Sequence, residues 1–167
     1  AANAVRTDNG KPYFQEYVTL KRHGLKITII GFTNPNIKAW LSPLLWSGMT
    51  FESLIPFAQE VVDRIVAKEK SDVVIVATHA GTGRGDGTAL ESQGLELLNS
   101  LKGVDFVICA HDHRAATIDN GDICLINAGS HCRSIGKGTV TLKVENGKVV
   151  SKTVDAELIP VNVENVD

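Results

Sequence analysis

Two stretches restrict the fold of this chain more than anything else in it. Asp72-Val73-Val74-Ile75-Val76-Ala77 and Val104-Asp105-Phe106-Val107-Ile108-Cys109 are short apolar runs without alternation. A strand with one face in water alternates apolar and polar residues. A short run that does not alternate reads as a strand covered on both faces, the habit of parallel sheets lying between helices. The segment before the first run supplies a covering helix. Over 53–69, Leu54, Ala58, Val61, Val62, Ile65 and Val66 recur at three- and four-residue steps, while Glu60, Asp63, Arg64 and Lys68 take the other face. Ser53 is placed to cap this helix, and Pro56 falls in its first turn, where a missing N–H costs nothing. A glycine-rich loop, Gly81 to Gly87, and a second helix over about 89–101 separate the two runs. The pattern predicts parallel strands joined by helices, an α/β layered fold.

The flanks read differently. Tyr13–Leu20 and Leu25–Gly31 are expected strands around a tight turn at His23-Gly24. Phe32 to Met49 holds Pro35, Pro43, Gly48, Trp40 and Trp46, and reads as a long loop pinned to the core by two aromatic anchors. Ile123–Ile126 is a further short strand. Gly138–Val144 and Lys148–Val154 alternate on either side of Glu145-Asn146-Gly147, a hairpin signal, so the tail is expected to be an antiparallel meander.

Size and charge exclude several functions. The 167 residues suffice for one domain with a core, and Lys+Arg 17 against Asp+Glu 19 leaves no basic field for a nucleic-acid polymer. No apolar run approaches the about 20 residues of a membrane-spanning helix, and the opening AANAVRTDNGK does not have the basic-then-apolar order of a signal peptide. Cys109, Cys124 and Cys132 are an odd number without CxxC spacing; the first two read as buried thiols.

The chemistry is concentrated in the histidines. His23 sits in a turn and reads as solvated. His79 and His111 each lie where one of the two buried runs ends, and the crevice beyond the carboxyl ends of parallel strands is where such folds bind ligands. His113 adds a third imidazole two residues on. One strand-end histidine is ordinarily a hydrogen-bonded structural residue. Two of them plus an HxH step favour a divalent transition metal such as Zn, Mn or Fe. The Gly81–Gly87 loop stands where a dinucleotide fingerprint would, but GxGxxG spacing fails at Asp86 and Thr88. A dinucleotide-binding oxidoreductase is therefore the weakest alternative.

Thr78-His79-Ala80-Gly81 followed by Ala110-His111-Asp112-His113 is similar to the second half of the calcineurin-like metallophosphoesterase pattern. The branch it resembles is that of the 5′-nucleotidases and 2′,3′-cyclic-nucleotide phosphodiesterases. Ala2-Asn3-Ala4, Gly31-Phe32-Thr33-Asn34-Pro35, and Asn127-Ala128-Gly129-Ser130 leading to Ile135-Gly136-Lys137-Gly138 extend the resemblance from Ala2 to about Pro160. It implies a four-layer α-β-β-α sandwich and metal-dependent phosphoester hydrolysis. His79 and His111 would be ligands of one divalent ion and His113 of its neighbour, the two lying about 3.5–4 Å apart. Arg84 and Arg114 would be phosphate contacts, Asp112 an orienting acceptor behind a ligand imidazole, and a nucleotide or other phosphoester the substrate.

The chain departs from the family in what it lacks. Asp-x-His and Gly-Asn-His do not occur, and Gly85-Asp86 and Gly121-Asp122 come in the wrong order. In the family those motifs supply the bridging carboxylate, an Asn ligand and the histidine that protonates the leaving group. They would lie just before Ala1. Residues 1–160 are therefore expected to be the C-terminal half of the domain, with 161–167 a tail or linker. Such a half is expected to be inactive alone and to offer a bare sheet face to its missing half, to a second copy, or to an exchanged segment. The resemblance implies a periplasmic or extracellular location. The alternative from another class is a non-catalytic binding or assembly domain that keeps the scaffold.

Overall fold

The computed structural model describes residues 1–162. In chain order its first elements are β1 (Ala4–Arg6), β2 (Tyr17–Arg22), β3 (Leu25–Thr33), α1 (Ile37–Trp40), a 3-10 turn (Pro43–Trp46), β4 (Met49–Phe51), α2 (Leu54–Glu69) and β5 (Val73–His79). There follow α3 (Gly94–Ser100), β6 (Phe106–Cys109), β7 (Ala115–Asp119), β8 (Cys124–Ala128), β9 (Ser134–Glu145) and β10 (Lys148–Pro160).

Six strands form one sheet in the order β2-β3-β5-β6-β8-β7. β3, β5, β6 and β8 run parallel, and the antiparallel β2 and β7 close its two edges. The two apolar runs are thus central parallel neighbours, as their lack of alternation requires. Their register sets Thr33 beside His79 and Thr78 beside Cys109, so the carboxyl ends of β3, β5 and β6 finish on a common rim.

The tail differs from a meander. Ile123 to Asn127 is buried at every residue and lies inside the parallel sheet as β8, whereas β9 and β10 form a separate two-stranded sheet. The long loop resolves into α1, the 3-10 turn and β4, which pairs with β1. α3 is shorter than expected, starting at Gly94, because residues 89–93 fold as turn beneath the glycine-rich loop. At the start of α2, Ile55 is extended (φ −110°, ψ 122°), so helical geometry begins at Pro56. The Ser53 hydroxyl donates to the Ile55 carbonyl and caps no helical amide.

One core fills the space between the sheet and its helices, with Ile30, Val74, Val76, Val107 and Leu125 of the strands against Leu54, Val62, Ile65, Leu97 and Leu98. On the opposite face the β9–β10 hairpin packs on Phe106, Cys124 and Ile126 through Val140, Val154, Ala156 and Leu158. Lys152 fastens it there: its ammonium lies 2.7 Å from Asp105 Oδ1 and donates to the Asp72 carbonyl at 2.9 Å. The hairpin leaves part of this face open. A cavity of about 630 Å³ remains, lined by Leu25, Ile27, Ile75, Phe106, Ile108 and Val140 among others.

Candidate metal centre

His79 is the last residue of β5, and His111 follows β6 by two residues. Their rings meet edge to face with centroids 5.2 Å apart. On its other side His111 stacks on Trp40, centroids 4.9 Å apart and planes 15° from parallel. The Glu91 carboxylate approaches His111 Nε2 at 3.9 Å. Trp40 thus holds the ring plane of His111 and does not anchor the loop on the core. Trp46 serves the loop itself, its indole N–H donating to the Leu41 carbonyl at 3.1 Å.

His113 points to different company, the ring of His131, with centroids 5.9 Å apart. The Nδ1 of His131 lies 2.7 Å from Ser130 Oγ. The imidazoles therefore group as two pairs along the rim. All four belong to loops under backbone strain or to a strand end beside them. His111 (φ 90°), His113 (φ 57°), His131 (φ 61°) and Cys132 (φ 53°) adopt left-handed conformations that cost a side-chain-bearing residue about 1–3 kcal/mol each. Such conformations persist only where surrounding contacts impose them.

Asp112 supplies some of those contacts. Although exposed, it accepts from the Thr82 amide at 2.7 Å and from Asn127 Nδ2 at 2.7 Å, and more weakly from the Arg114 amide at 3.3 Å. Asn127 Nδ2 also donates to Thr82 Oγ1 at 3.0 Å, and its Oδ1 accepts from the Gly129 amide. Gly81 has to be glycine here, since a Cβ would stand 2.8 Å from that of Asp112 and 2.5 Å from Ser92 Oγ.

The glycine-rich loop is folded against α3. The Gly94 and Leu95 amides, which a phosphate at a helix start would need, donate to the carbonyls of Gly81 and Thr82. This removes the physical basis of the dinucleotide reading. Arg84 and Arg114 are both exposed. Burial pushes the Cys109 thiol up to about 11 and raises that of Cys124, so neither is a ready thiolate ligand.

His79 and His111 suit a divalent ion as two of its donors, being neighbouring imidazoles on a part-open rim. Among the described residues, no three His, Cys, Asp or Glu side chains are gathered closely enough to hold an ion between them. Sequence reasoning missed Trp40, Glu91 and His131 as neighbours of the histidines. The first two reach the rim from loops whose path no local pattern encodes. His131 carried a weak signal, lying in the loop after a buried strand.

Comparison with known proteins gives this arrangement a context. No family profile matches the sequence. It is 26% identical over 137 residues to a 2′,3′-cyclic-nucleotide 2′-phosphodiesterase/3′-nucleotidase of Yersinia enterocolitica, covering 73% of this chain and 21% of that protein. It is 25% identical over 182 residues to a 5′-nucleotidase of Vibrio cholerae, covering 98% of this chain and 33% of the relative. Its fold matches a calcineurin-like phosphoesterase, YfkN of Bacillus subtilis, with a TM-score of 0.77 and 23% identity over 93% of this chain and 54% of the other. The fold is that of the calcineurin-like phosphoesterases, and the relatives are nucleotidases and cyclic-nucleotide phosphodiesterases. The chain spans between a fifth and a third of the length of these two relatives.

Proposed function

We propose that residues 1–160 form the C-terminal half of a metal-dependent phosphoester hydrolase domain, with nucleotide-type phosphate esters as substrates. The observation that carries this reading is the edge-to-face pair of His79 and His111 at the ends of adjacent parallel strands, on a fold shared with calcineurin-like phosphoesterases. In this reading His79 and His111 donate imidazole nitrogens to one divalent ion and His113 to a second. Bound there, such a pair would activate a water and neutralise phosphoryl charge. Trp40 keeps the His111 ring in plane, Asp112 fixes the loop between His111 and His113, and the exposed guanidinium groups of Arg84 and Arg114 grip phosphate oxygens through two donors each.

The carboxylates and the acid for the leaving group come, on this account, from polypeptide outside these 167 residues. The open cavity beside the β9–β10 hairpin supports this, because an apolar sheet face of that kind seeks a cover. The same cover could be a second copy or an exchanged segment, and an extracytoplasmic location suits the family resemblance. Of the tail or linker expected over 161–167, residues 163–167 lie outside the described residues.

Hydrolysis of bis(p-nitrophenyl) phosphate with added Mn²⁺ or Zn²⁺ tests the reading. We expect no turnover by the chain alone beyond that of its His111→Ala variant. Joined to a half-domain bearing Asp-x-His and Gly-Asn-His, it should turn over, and His111→Ala should then lose more than the about 10–100-fold seen when only a ligand's hydrogen-bond partner is removed. Robust turnover by the chain alone, unchanged in His111→Ala, would contradict it. Correct assembly without turnover would favour a binding domain on the same scaffold.

A further inference from the structure

We infer that Asp112, Thr82 and Asn127 act as one clamp that positions the histidines of the rim. The three residues come from three different strand exits: Thr82 after β5, Asp112 after β6, and Asn127 within β8. Thr82 and Asn127 are fully buried, and the Asp112 carboxylate reaches onto both. Every bond in the triangle has a defined direction. The Thr82 amide can only donate. Asn127 must turn its Nδ2 to Asp112 and Thr82, because its Oδ1 accepts from the Gly129 amide. An acceptor with two oxygens is therefore required at 112, and a carboxyl side chain supplies it.

The residues on either side of Asp112 are the two candidate ligands, and both are left-handed. Histidine enters positive φ more often than most residues, but the conformation still costs a side-chain-bearing residue free energy. With the carboxylate between them tied to the loop after β5 and to strand β8, the backbone cannot relax without breaking bonds to buried groups. Asp112 is thus a positioning residue acting on His111 and His113 through the backbone, where the sequence suggested an acceptor touching an imidazole. Gly81 belongs to the same device by leaving the space that the Asp112 Cβ occupies.

The inference deepens the proposed metal reading but is tested without metal. In the wild-type chain, the His111 ring stacks on Trp40, and we expect its ring protons to resonate upfield for that reason. Asp112→Asn sets an amide against the amide of Asn127. Turning Asn127 over would set its Nδ2 against the Gly129 amide, so the variant has no good arrangement. We expect it to lose the upfield displacement of His111. The exchange Asp112→Asn/Asn127→Asp restores one donor facing one acceptor and should recover it. Gly81→Ala, pressing on Asp112 from the other side, should lose it again. Asp105→Asn alters a buried acid on the far face and should lower the unfolding midpoint while leaving the His111 signals in place.

Retention of the His111 displacement in Asp112→Asn would overturn the clamp. So would its loss in Asp105→Asn to the same degree, or failure of the exchange to restore it. If Asp112→Asn does not fold, the exchange and Gly81→Ala decide the matter by the same signals. Zn²⁺ titration separates the two claims: a wild-type chain with these signals and no Zn²⁺ uptake retains the clamp and loses the metal reading. Where uptake occurs, Asp112→Asn should weaken it by about 10-fold or more.

Discussion

At the scale of single residues, environment divides side chains that look alike in sequence. Cys109 and Cys124 are 2% and 1% exposed, while Cys132 stands in the open beside His131. Burial disfavours a thiolate, and with the Cys109 thiol at about 11 only about one molecule in a thousand carries that thiolate at pH 8. A disulfide reagent at pH 8 should therefore consume one thiol quickly, at Cys132, and the other two only as fast as the chain opens. Reaction of all three at one rate would mean that the core is loose. The histidines divide in the same way. His79 and His111 were legible because each ends an unbroken apolar run. The pairing of His113 with His131 was not, because it depends on the path of two loops through left-handed backbone positions that no periodicity encodes.

Among elements, the parallel strands and α2 were legible because burial on both faces and a 3.6-residue period leave a mark on composition. β4 and β7 were not. β4 has three residues; β7 alternates weakly and owes its place to pairing with β8 at the sheet edge. The alternation of β9 and β10 disclosed a hairpin but not its layer. What places it is Lys152 on Asp105, a contact between residues 47 apart in sequence. Lys152→Met strands a carboxylate that is 5% exposed. Breaking a fully buried pair costs about 3–5 kcal/mol; since the Lys152 side chain is 32% exposed, we expect about 2 kcal/mol in denaturant unfolding. A change below about 0.5 kcal/mol, the range of ordinary surface substitutions, would show that apolar packing alone holds the hairpin.

Taken whole, the molecule is lopsided. One face of its sheet is sealed by α2 and α3, while the other is partly covered by the hairpin and partly open beside it. The rim with the four histidines lies at the carboxyl ends of the same parallel strands, and the carboxylates a dinuclear centre requires are not gathered there among the described residues. In the half-domain reading proposed above, an incomplete cage and an uncovered sheet have one physical explanation: a partner surface completes both. The missing motifs were legible as absences in the sequence, but the open face required the strand order to be known.

The most direct test is anomalous scattering from crystals of the chain soaked in Zn²⁺. The account predicts a peak between His79 and His111, about 2.0–2.1 Å from one nitrogen of each ring, that disappears in His111→Ala. A peak at any other place, with His79 and His111 left bare, would contradict it.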